Sequence, residues 1–264
     1  MRSGVRVAAA WVVITGVATI LTGRAIFNLP QPTPYETNND ANMTSAMAWF
    51  ELADNPAEII DVLGPPDDKG LERRSMLDDI DHMDYAFLIC YSLYNAALIV
   101  FVRHLSTYRF NDLLKLTTFL VLGLLLALGM AVGDWIENGH LLEFTKAKTI
   151  GDISIDAFND LWYWTRVKWG SIAGVCLMLS IAYVAYFRRI PTLLLSVLYA
   201  VAGISIFLAI SIPDARWLIQ GYGMNSLIAA WLLSLLHATS VLLFGVRPPL
   251  GPLPMVPPES ISTE

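Results

Sequence analysis

The sequence predicts an all-α fold: a polytopic transmembrane bundle of about six spanning helices with an interfacial amphipathic helix. Three observations carry that prediction. Of the 264 residues, 55% are hydrophobic and only 15% charged, against about 25% charged in a typical soluble domain. The apolar residues gather into six runs, about 7–23, 85–102, 114–135, 170–187, 190–212 and 224–245. Each approaches the roughly 20 residues a helix needs to cross a hydrocarbon core about 30 Å thick. The runs are also continuous, whereas barrel strands alternate over about ten residues.

The first run follows Met1, Arg2 and Arg6, a charge pattern shared with secretory signals. It is longer than a usual signal core, and no clear small-x-small cleavage site precedes Arg24, so it reads as a retained first helix. Residues 24–83 then form the largest segment outside the membrane. Pro30, Pro32, Pro34, Asn38 and Asn39 mark its start as irregular linker. A helix is expected over 46–63, capped by Thr44 or Ser45. Ala46, Trp49, Phe50, Ala53, Ala57, Ile60 and Leu63 recur there at spacings of three and four and make one apolar face. Gly64, Pro65 and Pro66 end it. This helix is expected to lie over the bundle or in the interface.

A second loop, 136–168, is aromatic around Phe158, Trp162 and Trp164 and is expected to hold a short interfacial helix. Trp135, Trp162, Tyr163, Trp164, Trp169, Trp217 and Tyr222 collect near the ends of the spans, where amphipathic rings suit the water–lipid boundary. The transmembrane domain is thus expected over 1–245. The tail, 246–264, is Pro-rich and reads as extended and cytoplasmic.

Lys and Arg are nearly balanced between the two sides, but one set sits in short connections (Arg103, Arg109, Lys115, Arg188, Arg189) and the other in two long loops. Density in short loops sets topology. The expectation is therefore a multi-pass protein of the inner (cytoplasmic) membrane with both termini in the cytoplasm.

Several function classes lack support. The net charge is −6 and no basic stripe exists, so the footprint for a nucleic-acid partner is missing. Cys90 and Cys176 both fall within spans and read as apolar packing residues. Nothing matches H-E-x-x-H, G-x-S-x-G, a Walker loop or C-x-x-C, and the four histidines do not pair as haem ligands. No metal or cofactor is implied.

Ionisable groups at membrane depth are costly, which makes them the natural functional candidates. Asp84, Tyr91 and Asn95 share one face of the second span, and Asp134, Glu137 and Asn138 one face at the end of the third. The second span enters from the outer side and the third leaves there. The fourth begins at that level just after Arg166, Lys168 and Trp169. Carboxylates and one or two cations are thus expected to meet near the outer mouth. Such a cluster reads as an ion-pair network fixing the helices, as a binding site, or as acid–base machinery.

Phe50-Glu51-Leu52-Ala53, Asp84-x-x-Phe87-x-x-x-Tyr91 and Asp134-x-x-Glu137-Asn138 together resemble a family of bacterial integral membrane proteins with an F-E-L-A segment and helices bearing such aspartates. The resemblance covers about 44–187, leaves the last two helices outside it, and implies no known activity. The leading expectation is a non-enzymatic protein that binds a lipid, a small ligand or a partner protein at the outer polar cluster. Asp84, Tyr91, Asn95, Asp134, Glu137, Asn138 and Lys168 are the candidate ligand-binding residues. An intramembrane enzyme using the clustered carboxylates is the alternative, and a secondary transporter the third reading. Membrane lipids are the expected surroundings, with a protein partner or homo-oligomer left open.

Overall fold

A computed structural model describes residues 2–36, 42–106, 113–186 and 190–245. The Pro-rich tail lies outside the described residues, as do Asn38 and Asn39 of the linker and the connections carrying Arg109, Arg188 and Arg189. Eight α-helices are described: α1 (Arg2–Phe27), α2 (Ala46–Glu51), α3 (Pro56–Leu63), α4 (Asp68–Ser106), α5 (Leu113–Phe144), α6 (Ile155–Tyr186), α7 (Ile190–Ser211) and α8 (Met224–Phe244). Six of these, all but α2 and α3, are long and apolar enough to cross a membrane. The chain is an all-α, multi-pass membrane bundle.

The spanning helices pack in chain order. Helix α1 lies on α4, then α4 on α5, α5 on α6, α6 on α7 and α7 on α8, and α8 returns to α1. Aromatic residues fill the middle. Tyr183 and Tyr199 stack with ring centres 6.0 Å apart, the Tyr199 hydroxyl lies 2.9 Å from Ser234 Oγ, and Tyr94 donates to the Trp231 carbonyl at 2.6 Å. His237 belongs to this core, with its ring edge-on to Phe101.

Three spanning helices, α4, α5 and α6, extend well beyond their apolar runs. Helix α4 has 39 residues, about 58 Å at a rise of ~1.5 Å per residue, and begins at Asp68 where the apolar pattern begins near 85. Asp67 starts it by accepting from the Gly70 amide at 2.8 Å, an N-cap. Helix α5 runs on to Phe144. Hydropathy registers only the lipid-facing part of such a helix; the polar extension is stabilised by other protein. In consequence most of the expected loop over 136–168 is helix. Among its residues only 145–154 connect α5 to α6, with one 3-10 turn at Ile150–Asp152.

The expected single helix over 46–63 is two. Pro56 has no amide hydrogen and cannot continue a helix from the preceding turn, so it sits at the first position of a new one. Asn55 caps that helix by accepting from the Ala57 and Glu58 amides. Ser45, one of the two expected caps, accepts from the Ala48 amide at the start of α2. The two short helices bury Trp49, Phe50, Ile59, Val62 and Leu63 and form a cap over one end of the bundle. Long-range hydrogen bonds tie the cap down. Gln220 Oε1 accepts from the Thr44 and Ser45 amides, both at 3.1 Å. Arg74 donates to the Gly64 carbonyl at 2.9 Å and to the Ala147 carbonyl at 3.1 Å.

Candidate functional site

A buried polar cluster lies beneath the cap. Asp134 is ten residues before the end of α5 and Lys168 thirteen after the start of α6. The site is therefore about 15–20 Å inside the helix ends at ~1.5 Å per residue. The contact between α5 and α6 is unusually close because of Gly133: a Cβ there would come within 2.8 Å of the Lys168 backbone nitrogen. With Gly129 it forms a G-x-x-x-G spacing, which lets helix backbones approach. The approach sets Asp134 directly against Lys168.

Lys168 is the centre. Its Nζ lies 2.9 Å from Glu51 Oε2, 2.9 Å from Asp134 Oδ1 and 2.6 Å from Glu137 Oε2. An ammonium has three hydrogens, so these three carboxylates saturate it. Each has further support. Tyr91 donates to Asp134 Oδ2 at 2.7 Å, Thr165 to Glu137 Oε1 at 2.8 Å, and the Trp169 indole to Glu51 Oε2 at 3.1 Å. Among the described residues, Asp84 receives only the Asn138 amide, at 2.8 Å. Asp81 is wholly buried, and among the described residues neither of its carboxylate oxygens, nor Asn138 Oδ1, has a hydrogen-bond or ion-pair partner.

Of the seven candidate residues, six come together: Asp84, Tyr91, Asp134, Glu137, Asn138 and Lys168. Asn95 does not join them, because its amide turns back to the Tyr91 carbonyl of its own helix at 2.9 Å. Two residues outside the candidate set are integral. Asp81 precedes Asp84 by three positions and Tyr91 by ten, on the same face of α4; the apolar run hid it because the helix begins so much earlier. Glu51 falls on the polar side of a continuous helix over 46–63. The break before Pro56 ends α2 at Glu51 and directs it down to Lys168. Trp169, read as a boundary aromatic, is buried in the cluster.

Arg166, the other expected cation, works elsewhere. It pairs with Asp54 at 3.0 Å and lies over the Trp162 ring, 3.4 Å from its centre. It belongs to a second network that clamps the cap. There Arg216 reaches Glu58 Oε2 at 2.5 Å and Oε1 at 3.0 Å in a two-pronged pair, and donates to the Leu52 carbonyl at 2.8 Å. Burial pushes the Glu58 carboxyl up. The Arg216 hydrogen bonds and charge, with the Trp49 indole and the Asp54 amide, outweigh that and hold it below its ordinary value. Burial likewise disfavours the Arg216 cation, but Glu58 and Asp54 hold it above its usual value, so the two partners agree in sign.

His82 and His140 stay out of the cluster: the His82 ring pairs with the Asp78 carbonyl at 2.7 Å and His140 stacks near Phe144. Among the described residues, no three His, Cys, Asp or Glu side chains converge at metal-binding spacing. Chemically, the cluster is acceptor-rich, with five carboxylates (Glu51, Asp81, Asp84, Asp134 and Glu137) and one ammonium among the described residues. No family model, no curated protein and no solved structure matches the chain.

Proposed function

We propose that this multi-pass membrane protein binds a small cation, the proton included, in the carboxylate cluster beneath its cap. The observation that carries the reading is Asp81. It is fully buried, both its oxygens lack a donor among the described residues, and it shares a helix face with Asp84, beside a lysine already paired with three other carboxylates. Uncompensated charge at this depth is prohibitively costly, and isolated buried carboxylates do not persist as bare anions. The surplus is neutralised by positive charge from outside the chain. Asp84 is only partly buried and gives the cluster its edge at the surface. Following the basic-residue density of the short connections, the proposal places the cap on the outer side of a cytoplasmic membrane.

The test is thermal unfolding of the detergent-purified protein in N-methylglucamine, sodium, potassium, magnesium or calcium chloride at constant ionic strength, repeated from mildly acidic to mildly alkaline pH. A ligand that binds only the folded state raises the melting temperature by mass action. The expected result is stabilisation of the wild type by one of these cations, or by rising proton concentration, with Asp81→Asn unresponsive. Identical responses in wild type and Asp81→Asn, or none in either, would overturn the reading.

A further inference from the structure

A second feature lies away from the carboxylates. Helices α1, α4 and α8 enclose a cavity of about 300 Å³. Gly16, Thr19, Ile20 and Gly23 lie along one side of α1; Phe87 and Tyr94 of α4 and Leu232 of α8 complete its walls. Small residues let the rings of α4 lie close against α1. A Cβ at Gly16 would meet the Tyr94 ring at 2.8 Å, and one at Gly23 the Phe87 ring at 3.2 Å. Two polar groups at its wall are already used: Thr19 donates to the Thr15 carbonyl at 2.9 Å and Tyr94 to the Trp231 carbonyl, while the Trp231 indole nitrogen is buried without a partner among the described residues. Apart from that one donor and Arg24, the lining side chains named above offer an occupant apolar surface. It opens sideways, since Ile20, Phe27 and Leu232 are exposed, and along spanning helices that opening faces lipid.

One charge stands at its end. Arg24 is in the last turn of α1, lines the cavity and is exposed. Among the described residues its guanidinium has no carboxylate or hydrogen-bond partner. An apolar slot within the hydrocarbon zone, ending in an unpaired cation at the capped end, is complementary to one molecule class. That class has an acyl chain for the slot and an anionic headgroup for the guanidinium, which binds phosphate through two parallel hydrogen bonds. We propose that the α1–α4–α8 groove is a binding site for one acyl chain of an anionic phospholipid, with Arg24 holding its phosphate in the leaflet on the capped side. This is separate from cation binding by the carboxylate cluster.

Native mass spectrometry of the detergent-released protein tests it, with lysophosphatidylglycerol and lysophosphatidylcholine of the same chain length as probes. The wild type is expected to retain one lysophosphatidylglycerol in preference to lysophosphatidylcholine. Arg24→Gln should lower that preference about fivefold, the worth of one basic side chain against an anionic lipid surface, and Arg24→Lys should restore part of it. Ile20→Trp, which directs a ring from the rim into the slot, should reduce retention of both lipids. Arg24 and Ile20 are exposed, so these variants are expected to melt like the wild type. Equal retention of the two lipids by the wild type, unchanged preference in Arg24→Gln, or unchanged retention in Ile20→Trp would each overturn the proposal. So would a stable dimer that binds neither lipid, which would make a second copy the occupant.

Discussion

Lys168 Nζ lies 2.6 Å from Glu137 Oε2, with the lysine side chain 6% exposed and the glutamate not at all. The same nitrogen serves Glu51 and Asp134, so one cation on α6 holds carboxylates from α2 and α5. Removing one partner of a buried ion pair leaves an uncompensated charge, which costs about 3–5 kcal/mol. Lys168→Met abandons three carboxylates at once, whereas Glu137→Gln leaves the lysine two. Lys168→Met should therefore destabilise by about 4 kcal/mol or more, and Glu137→Gln by clearly less. Thermal unfolding in detergent ranks them; equal melting temperatures would contradict the central role of Lys168.

Asp81 should behave in the opposite way. Among the described residues its oxygens have no donor to lose, so Asp81→Asn removes a charge that is costly to bury and breaks no hydrogen bond. In buffer of poorly coordinating cations the variant should be at least as stable as the wild type, with a gain of about 1 kcal/mol. A loss comparable to that of Lys168→Met would mean that Asp81 has a partner.

The cap clamp makes a pH prediction. Glu58 is held below its ordinary carboxyl value of 4.5, so its ionised form favours the folded state. For a depressed acid that stability is fully present above the unfolded value and disappears as pH falls through the folded one. At neutral pH, Glu58→Gln should cost about 2 kcal/mol, the scale of charge-assisted hydrogen bonds in a partly buried pair. The gap from wild type should shrink as pH drops below 4.5. A gap constant down through the acid range would show that the pair contributes packing and no charge.

The bundle was legible in the sequence because length and hydropathy are all a spanning helix requires. Asp134, Glu137 and Asn138 were legible for a similar reason: spacings of three and four fix a common face whatever surrounds it. Glu51 was not, since its position depends on a turn between α2 and α3 that Pro56 and Asn55 impose locally, against an apolar periodicity continuing through them. Asp81 was hidden by the polar start of α4, a helix stabilised by cap and neighbours where hydropathy shows none. Asn95 failed in the other direction. Sharing a face with Asp84 and Tyr91 placed it toward α5, but a buried asparagine also bonds the carbonyl four residues back, and here it does.

Glycine spacing was the unused signal, and it supplies the sharpest contrast among substitutions. Gly133 and Gly139 lie in the same helix, and alanine favours a helix interior over glycine by about 1 kcal/mol. On propensity alone both changes would stabilise. Their surroundings differ: at Gly139 a Cβ meets only the Tyr85 hydroxyl, at 4.0 Å, while at Gly133 it meets the Lys168 backbone at 2.8 Å. Backbone cannot swing aside as a side chain does, so Gly133→Ala must separate α5 from α6 and lengthen the Asp134–Lys168 pair. Overpacking of this kind costs about 1–3 kcal/mol. Gly139→Ala should therefore raise the melting temperature slightly, and Gly133→Ala should lower it and also weaken any cation-dependent stabilisation. The two effects of Gly133→Ala are linked because the helix separation that admits the methyl also dismantles the cluster. If Gly133→Ala lost stability but kept the full cation response, the close approach of α5 and α6 would serve packing without shaping the site.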